Sequence, residues 1–233
     1  ILLFVGLIVW LLIAYRALAP RLKKETGWSS LTHLYTYSAI LIVAFFGFGL
    51  FYNPSTHLSI ADYWRWFVVH IWVEGMFEFF AAAVIALLLS GLGLVSKESA
   101  LRAAYLTAIL AFSSGIIGTS HHYFWFGQPS FWIAFGAMFS ALEPVPLILL
   151  VVRAWMEYRT INEPGKEYPY RLPLMFLIAS SFWSFLGAGV FGFIINTPII
   201  NYYEHGTYLT SNHGHTALFG TYGMLAIALI AGW

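Results

Sequence analysis

The sequence predicts an all-α fold, a polytopic transmembrane helix bundle with seven helices in these residues. Three observations lead there. Hydrophobic residues make up 60% of the 233 and charged residues only 9%, which leaves too little polar surface to cover a soluble globule. The apolar residues fall into runs long enough to cross a bilayer, separated by clusters of Pro, Gly, Asn and Ser. Ten of the eleven Lys and Arg residues lie at alternate connections, as the positive-inside rule requires. The net charge of +1 gives no reason to expect nucleic acid or an acidic partner. With no cysteine, the chain can hold no disulfide, iron-sulfur cluster, covalently attached c-type haem or thiolate copper.

The spans are expected at about 1–18, 31–52, 62–94, 100–121, 130–157, 173–197 and 208–233, since roughly 20 apolar residues cross a bilayer and longer runs tilt or project. Pro20 to Ser30, Asn53-Pro54-Ser55, Ser96 to Ser99, Gly127-Gln128-Pro129, Asn162-Glu163-Pro164-Gly165 and Thr197-Pro198 through Gly206 interrupt them. Arg16, Arg21, Lys23 and Lys24 flank the first connection, Lys97 and Arg102 the third, and Arg153, Arg159, Lys166 and Arg171 the fifth, so that side is cytoplasmic. Arg65 alone lies opposite. The chain opens without Met inside one apolar run and closes inside another. It therefore reads as an internal fragment, with 1–233 part of a single transmembrane domain truncated at both ends.

The third span carries His70, Glu74 and Glu78 at i, i+4 and i+8, one polar stripe on an otherwise apolar helix. Ionisable groups in such a place are costly and mark a functional site by default; the alternative is a structural histidine bonded to Glu74, with Glu78 facing a water pocket. With the topology above, His70, His121, His122, His213 and His215 gather toward the outer side. An interfacial position suits His57 and His205. His121 and His122 end the fourth span, where the chain can leave helical geometry and turn both rings to one ion. With His70 and Glu74 they make three imidazoles and a carboxylate, a full shell for a first-row transition metal. Three imidazoles alone serve copper or zinc; the added hard oxygen moves the preference toward iron.

His213-Gly214-His215 is a different pattern. Residues at i and i+2 of a helix point about 200° apart, so the two rings suit two separate macrocycles, as axial ligands of two b-type haems. Glu143, beside Pro144 and Pro146, is a mid-membrane acid at a helix break, able to carry protons or to serve as a hydrogen-bonded structural acid. Gly187, Gly189 and Gly192 mark a surface of close approach, to a helix or to a flat cofactor.

His70-x3-Glu74, Gly118-Thr119-Ser120-His121-His122-Tyr123, Phe139-Ser140-Ala141-Leu142-Glu143-Pro144 and Asn212-His213-Gly214-His215, in this order, resemble the catalytic subunit of the respiratory nitric oxide reductases, a branch of the haem-copper oxidase superfamily. The resemblance covers essentially the whole chain and implies a bundle of the haem-copper oxidase subunit I type, here helices four to ten of twelve. It implies that His70, His121, His122 and Glu74 bind a non-haem iron. His213 would be the axial ligand of high-spin haem b3, and His215 of a low-spin haem b whose other ligand precedes Ile1. Glu143 and Glu78 would be acids serving the site. Oxygen-reducing relatives often carry Tyr where Glu74 stands and use copper. The implied reaction is reduction of nitric oxide with electrons from quinol or cytochrome c, in the cytoplasmic (inner) membrane of a bacterium or archaeon. The segment Gly187 to Gly223, with Asn196-Thr197-Pro198-Ile199-Ile200-Asn201-Tyr202-Tyr203-Glu204, looks more like the single-chain quinol-oxidising members than those paired with a cytochrome c subunit. A dioxygen reductase of the same superfamily and a haem-free proton-coupled transporter are the rival expectations.

Overall fold

The computed structural model describes residues 1–124, 127–142, 145–161 and 168–232. All regular structure among them is helical: α1 Leu2–Leu22, α2 Leu31–Phe51, α3 Leu58–Gly91, α4 Lys97–His122, α5 Ser130–Leu142, α6 Val145–Ile161, α7 Arg171–Ile195, α8 Pro198–Glu204 and α9 Tyr208–Ala231. Six of these, α1 to α4, α7 and α9, are long and apolar enough to cross a membrane. The chain is a multi-pass membrane protein. The expected fifth span is described as α5 and α6 on either side of residues 143 and 144, so Glu143 lies outside the described residues.

Two expected boundaries shift. α1 runs through Pro20 to Leu22, because a proline in a final turn interrupts little helix beyond it. The expected break from Thr197 to Gly206 contains the short helix α8, started by Pro198 at its first position, where the missing N–H costs nothing. Side chains cap four helix starts: Ser30 accepts from the His33 amide, Ser96 from the Ser99 amide and Thr207 from the Leu209 amide, each at 3.2 Å, and His57 Nδ1 from the Ser59 amide at 3.3 Å.

Small residues let the central helices approach. Ala81, Ala82, Ala83 and Ala86 of α3 and Ala100, Ala104 and Ala111 of α4 are buried where the two pack, and Leu147, Leu150, Val151 and Ala154 of α6 close over α4. Without a hydrophobic force between helices in lipid, such contacts stabilise by van der Waals packing. Leu174 and Leu177 of α7 are buried in the same core, and α7 also pairs with α9. Large apolar side chains such as Leu12, Ile116 and Ile230 point outward, as a lipid-facing surface requires.

Three spans contain a π-helical segment. His70–Phe77 of α3, Ser184–Phe191 of α7 and Phe219–Gly223 of α9 are π-helical. This corrects the regular i, i+4, i+8 stripe: Glu74 lies inside a π segment and Glu78 begins the α-helix after it. A π segment shifts the hydrogen-bond register and leaves backbone groups seeking partners, and such segments are frequent at functional sites. Ser180 is one such partner: fully buried in α7, it donates its hydroxyl to the Thr221 carbonyl of the α9 segment at 2.7 Å. Replacing Ser180 with alanine removes that bond and leaves the carbonyl the Met224 amide of its own helix, so it is expected to destabilise the full-length protein by about 0.5–1.5 kcal/mol in denaturation measurements. An unchanged unfolding midpoint would mean the bond between α7 and α9 adds nothing to stability.

Candidate metal centre and cofactor cavity

The sequence brings His70 to the site by burying it in α3, about three helical turns after Leu58 and with no exposure to solvent. His121 and His122 come by another route. The last turn of α4, Gly118–His122, tightens to a 3-10 helix, which lets adjacent rings turn to one side. That turn is pinned from several directions. The Ser120 hydroxyl donates to the Trp132 carbonyl at 2.6 Å, and Gln128 donates its amide to the Ser120 carbonyl at 2.6 Å. Tyr123 donates to the Tyr63 carbonyl at 2.8 Å while stacking on the Tyr63 ring, tying the end of α4 to the start of α3. Gly136 of α5 lets that helix lie against the turn: a Cβ there would come within 2.7 Å of Ser120 Oγ and 2.9 Å of the His121 amide nitrogen.

The three imidazoles surround one carboxylate. His70 Nδ1 lies 3.0 Å from Glu74 Oε2, His121 Nε2 lies 3.1 Å from Oε2, and His122 Nε2 lies 3.1 Å from Oε1. Ring centroids are 4.8 Å apart for His70 and His121, 5.1 Å for His70 and His122, and 4.3 Å for His121 and His122, every pair steeply inclined. One donor atom from each of the four residues lies within 4.8 Å of the others. Edge-to-face rings aim their nitrogens inward, as a metal's first shell demands. A half-buried carboxylate facing three imidazoles is costly to desolvate, and a cation held between them would offset much of that cost.

The cluster forms one wall of a cavity of about 280 Å³. Val69 and Val73 of α3, Ala188 of α7, and Ala217 and Leu218 of α9 give it apolar walls, and His213 faces it from α9. The His213 ring is held: Nδ1 lies 2.7 Å from the Gly187 carbonyl, so it donates its proton there and Nε2 keeps a lone pair, the ligand tautomer. Gly192 makes room for that ring, since a Cβ there would sit 3.2 Å from His213 Cε1. Gly187 is a helix contact instead, its missing Cβ falling 2.6 Å from the Ala217 amide nitrogen of α9. Both contacts are with α9, the helix approach that was one of the two uses expected for the glycine surface.

His215 lies on the exposed side of α9, away from the cavity, with Nδ1 2.7 Å from the Ser211 carbonyl of its own helix. The i, i+2 pair thus divides between two faces, as its spacing predicts. Gly214 lines the cavity, and among the described residues no protein atom lies within 4 Å of its missing Cβ. Glu78 is 6% exposed, lines the cavity beside Glu74, and keeps Oε1 without a hydrogen-bond partner among the described residues.

Sequence reasoning gave five residues no place at this site. Trp66 stacks on His122 with ring centroids 5.0 Å apart and 12° between planes, and the Arg65 guanidinium sits over Trp66 at 5.6 Å. Asn196 meets His121 Nδ1 at 3.0 Å. Buried Glu204 lines the far side of the cavity and accepts from the Thr210 hydroxyl at 2.9 Å, and His205 beside it lines the cavity too. Trp66 and Arg65 lie within five residues of His70, and Asn196 follows the glycine surface; those positions were the available signals.

A membrane bundle that sets three imidazoles and a carboxylate against a cavity faced by a further histidine defines a respiratory oxidase-type core, and the chain belongs to the cytochrome c and quinol oxidase polypeptide I family, whose model matches residues 1–233. Among curated proteins it is similar to a nitric oxide reductase subunit of Stutzerimonas stutzeri, with 40% identity over 190 residues. That match covers 82% of this chain and 39% of the relative's length.

Proposed function

We propose that this chain is part of the single transmembrane catalytic domain of a respiratory nitric oxide reductase, which converts two NO, two electrons and two protons to N2O and water. The observation that carries the reading is Glu74, whose carboxylate lies within 3.1 Å of a nitrogen from each of three histidines on the wall of the cavity that His213 enters. A hard oxygen among imidazoles favours iron over copper, in keeping with the nitric oxide reductase activity for which the Stutzerimonas stutzeri relative is named.

The residues fit the cofactors that this reading requires. Nδ1 of His70, Nε2 of His121 and His122, and the Glu74 carboxylate would hold a non-haem iron; His213 would hold a high-spin haem b3 and His215 a low-spin haem b. When bound, the iron and haem b3 supply two redox metals at which developing charge on the reacting NO is stabilised. Glu74 brings negative charge to the metal, and Trp66 fixes the plane of the His122 ring. Val69, Val73, Ala188 and Leu218 keep the chamber apolar, which suits a small uncharged substrate. Glu78, buried with one oxygen free, would hold a proton for the chamber, with Glu143 a second acid in the same role. The donor would be quinol, on the sequence of residues 196–204, with cytochrome c the alternative. The site would lie toward the outer side of the cytoplasmic (inner) membrane. Membership of an oxidase family argues against a haem-free transporter.

Purified full-length protein, reduced and given NO or dioxygen in parallel, tests this. N2O formation with slow oxygen uptake is the expected result. Fast oxygen uptake without N2O would assign the dioxygen-reducing branch instead.

A further inference from the structure

Asn196 occupies a position with little freedom. It caps the C-terminus of α7 with φ −87° and ψ −4°, and its amide nitrogen donates to the Gly192 carbonyl at 3.1 Å. Pro198 starts α8 two residues on, and the Asn201 side chain reaches back to donate to the Ile195 carbonyl at 2.9 Å. The Asn196 side chain is thereby held in the interior, 7% exposed, with its amide 3.0 Å from His121 Nδ1. The other nitrogen of that ring, Nε2, faces Glu74 Oε2 at 3.1 Å.

The two ring nitrogens cannot be set independently. While Nε2 carries the proton and donates to Glu74, Nδ1 is an acceptor and Asn196 must present its NH2. When Nε2 gives its lone pair to a metal, the proton resides on Nδ1 and needs an acceptor. A primary amide offers both, since half a turn about its last bond replaces NH2 with the carbonyl oxygen. An apolar side chain would leave a buried Nδ1–H unpaired in the metal-bound state, while a carboxylate would favour that state alone.

We propose that Asn196 is the positioning residue for the metal centre, satisfying His121 Nδ1 in both the metal-bound and metal-free forms. The inference rests on the reading of His70, Glu74, His121 and His122 as metal ligands. Asn196 acts through ligand basicity and ring orientation, and so governs how tightly the metal is held.

The test is the rate at which a chelator strips iron from the full-length protein, with b-type haem content measured on the same samples. Asn196→Leu, close in volume, is expected to release iron about 10–100-fold faster than wild type at unchanged haem content. Asn196→Asp, which keeps an acceptor on Nδ1, is expected to release it more slowly than wild type. Wild-type rates in N196L overturn the proposal. If N196L fails to assemble haem, N196D decides alone, and release as fast as wild type or faster overturns it. Wild-type protein that carries no iron besides haem iron would instead sink the ligand assignment beneath the inference.

Discussion

Alanine at position 74 is expected to empty the proposed non-haem iron site of the full-length protein while the two proposed haems stay bound. Glu74 touches all three cluster histidines, so its removal takes away the carboxylate that binds the imidazoles into one site. What remains is a three-imidazole set, which copper and zinc fill as readily as iron. N2O formation is expected to fall by about 100-fold or more, in line with loss of a metal that stabilises developing charge. Residual metal should shift from iron toward zinc or copper, measurable as metal per haem by elemental analysis. His213 and its Gly187 contact lie on other helices, so haem content is the internal control. Retention of iron at the wild-type ratio in E74A would show that the carboxylate is not a ligand.

The second large effect is expected at Gly187. A methyl there would fall 2.6 Å from the Ala217 amide nitrogen and 2.7 Å from the Thr216 carbonyl carbon, backbone atoms that cannot swing aside. Gly187→Ala must therefore push α7 from α9, costing about 1–3 kcal/mol of stability. The displacement also draws the Gly187 carbonyl from His213 Nδ1, loosening the ring that would ligate the high-spin haem. We expect high-spin haem to be lost from G187A in preference to low-spin haem, read from the reduced absorption spectrum. Gly115→Ala is the control, because its methyl would meet only Ile71 Cγ1 at an ordinary 3.9 Å. Equal loss of both haems in G187A would point to general misfolding.

Much of this site was legible in the chain because membrane residence makes polar residues rare. In α3, His70, Glu74 and Glu78 stand out from an apolar background, and the cost of placing them in lipid already argues for partners. Convergence of His70 with His121 and His122 followed from topology, since alternating positive charge placed those helix ends on one side of the bilayer. The π segments were not legible. Whether a span shifts from i→i+4 to i→i+5 bonding depends on partners such as Ser180 on a neighbouring helix, and no local pattern announces them. Asn196 was hidden for a related reason. Its sequence context reads as a turn signal, and only the packing of the end of α7 on α5, which itself lies against the end of α4, brings that helix cap to His121. Glu204 likewise reads as a loop acid until the fold buries it.

Everything proposed for the chemistry depends on iron sitting among residues 70, 74, 121 and 122. Anomalous diffraction from crystals of the full-length protein, recorded on either side of the iron and copper absorption edges, tests this most directly. An iron peak within bonding reach of His70 Nδ1, His121 Nε2, His122 Nε2 and the Glu74 carboxylate, distinct from the haem irons and silent at the copper edge, is the predicted result. A copper peak at that point, or no peak among those four side chains, would contradict it.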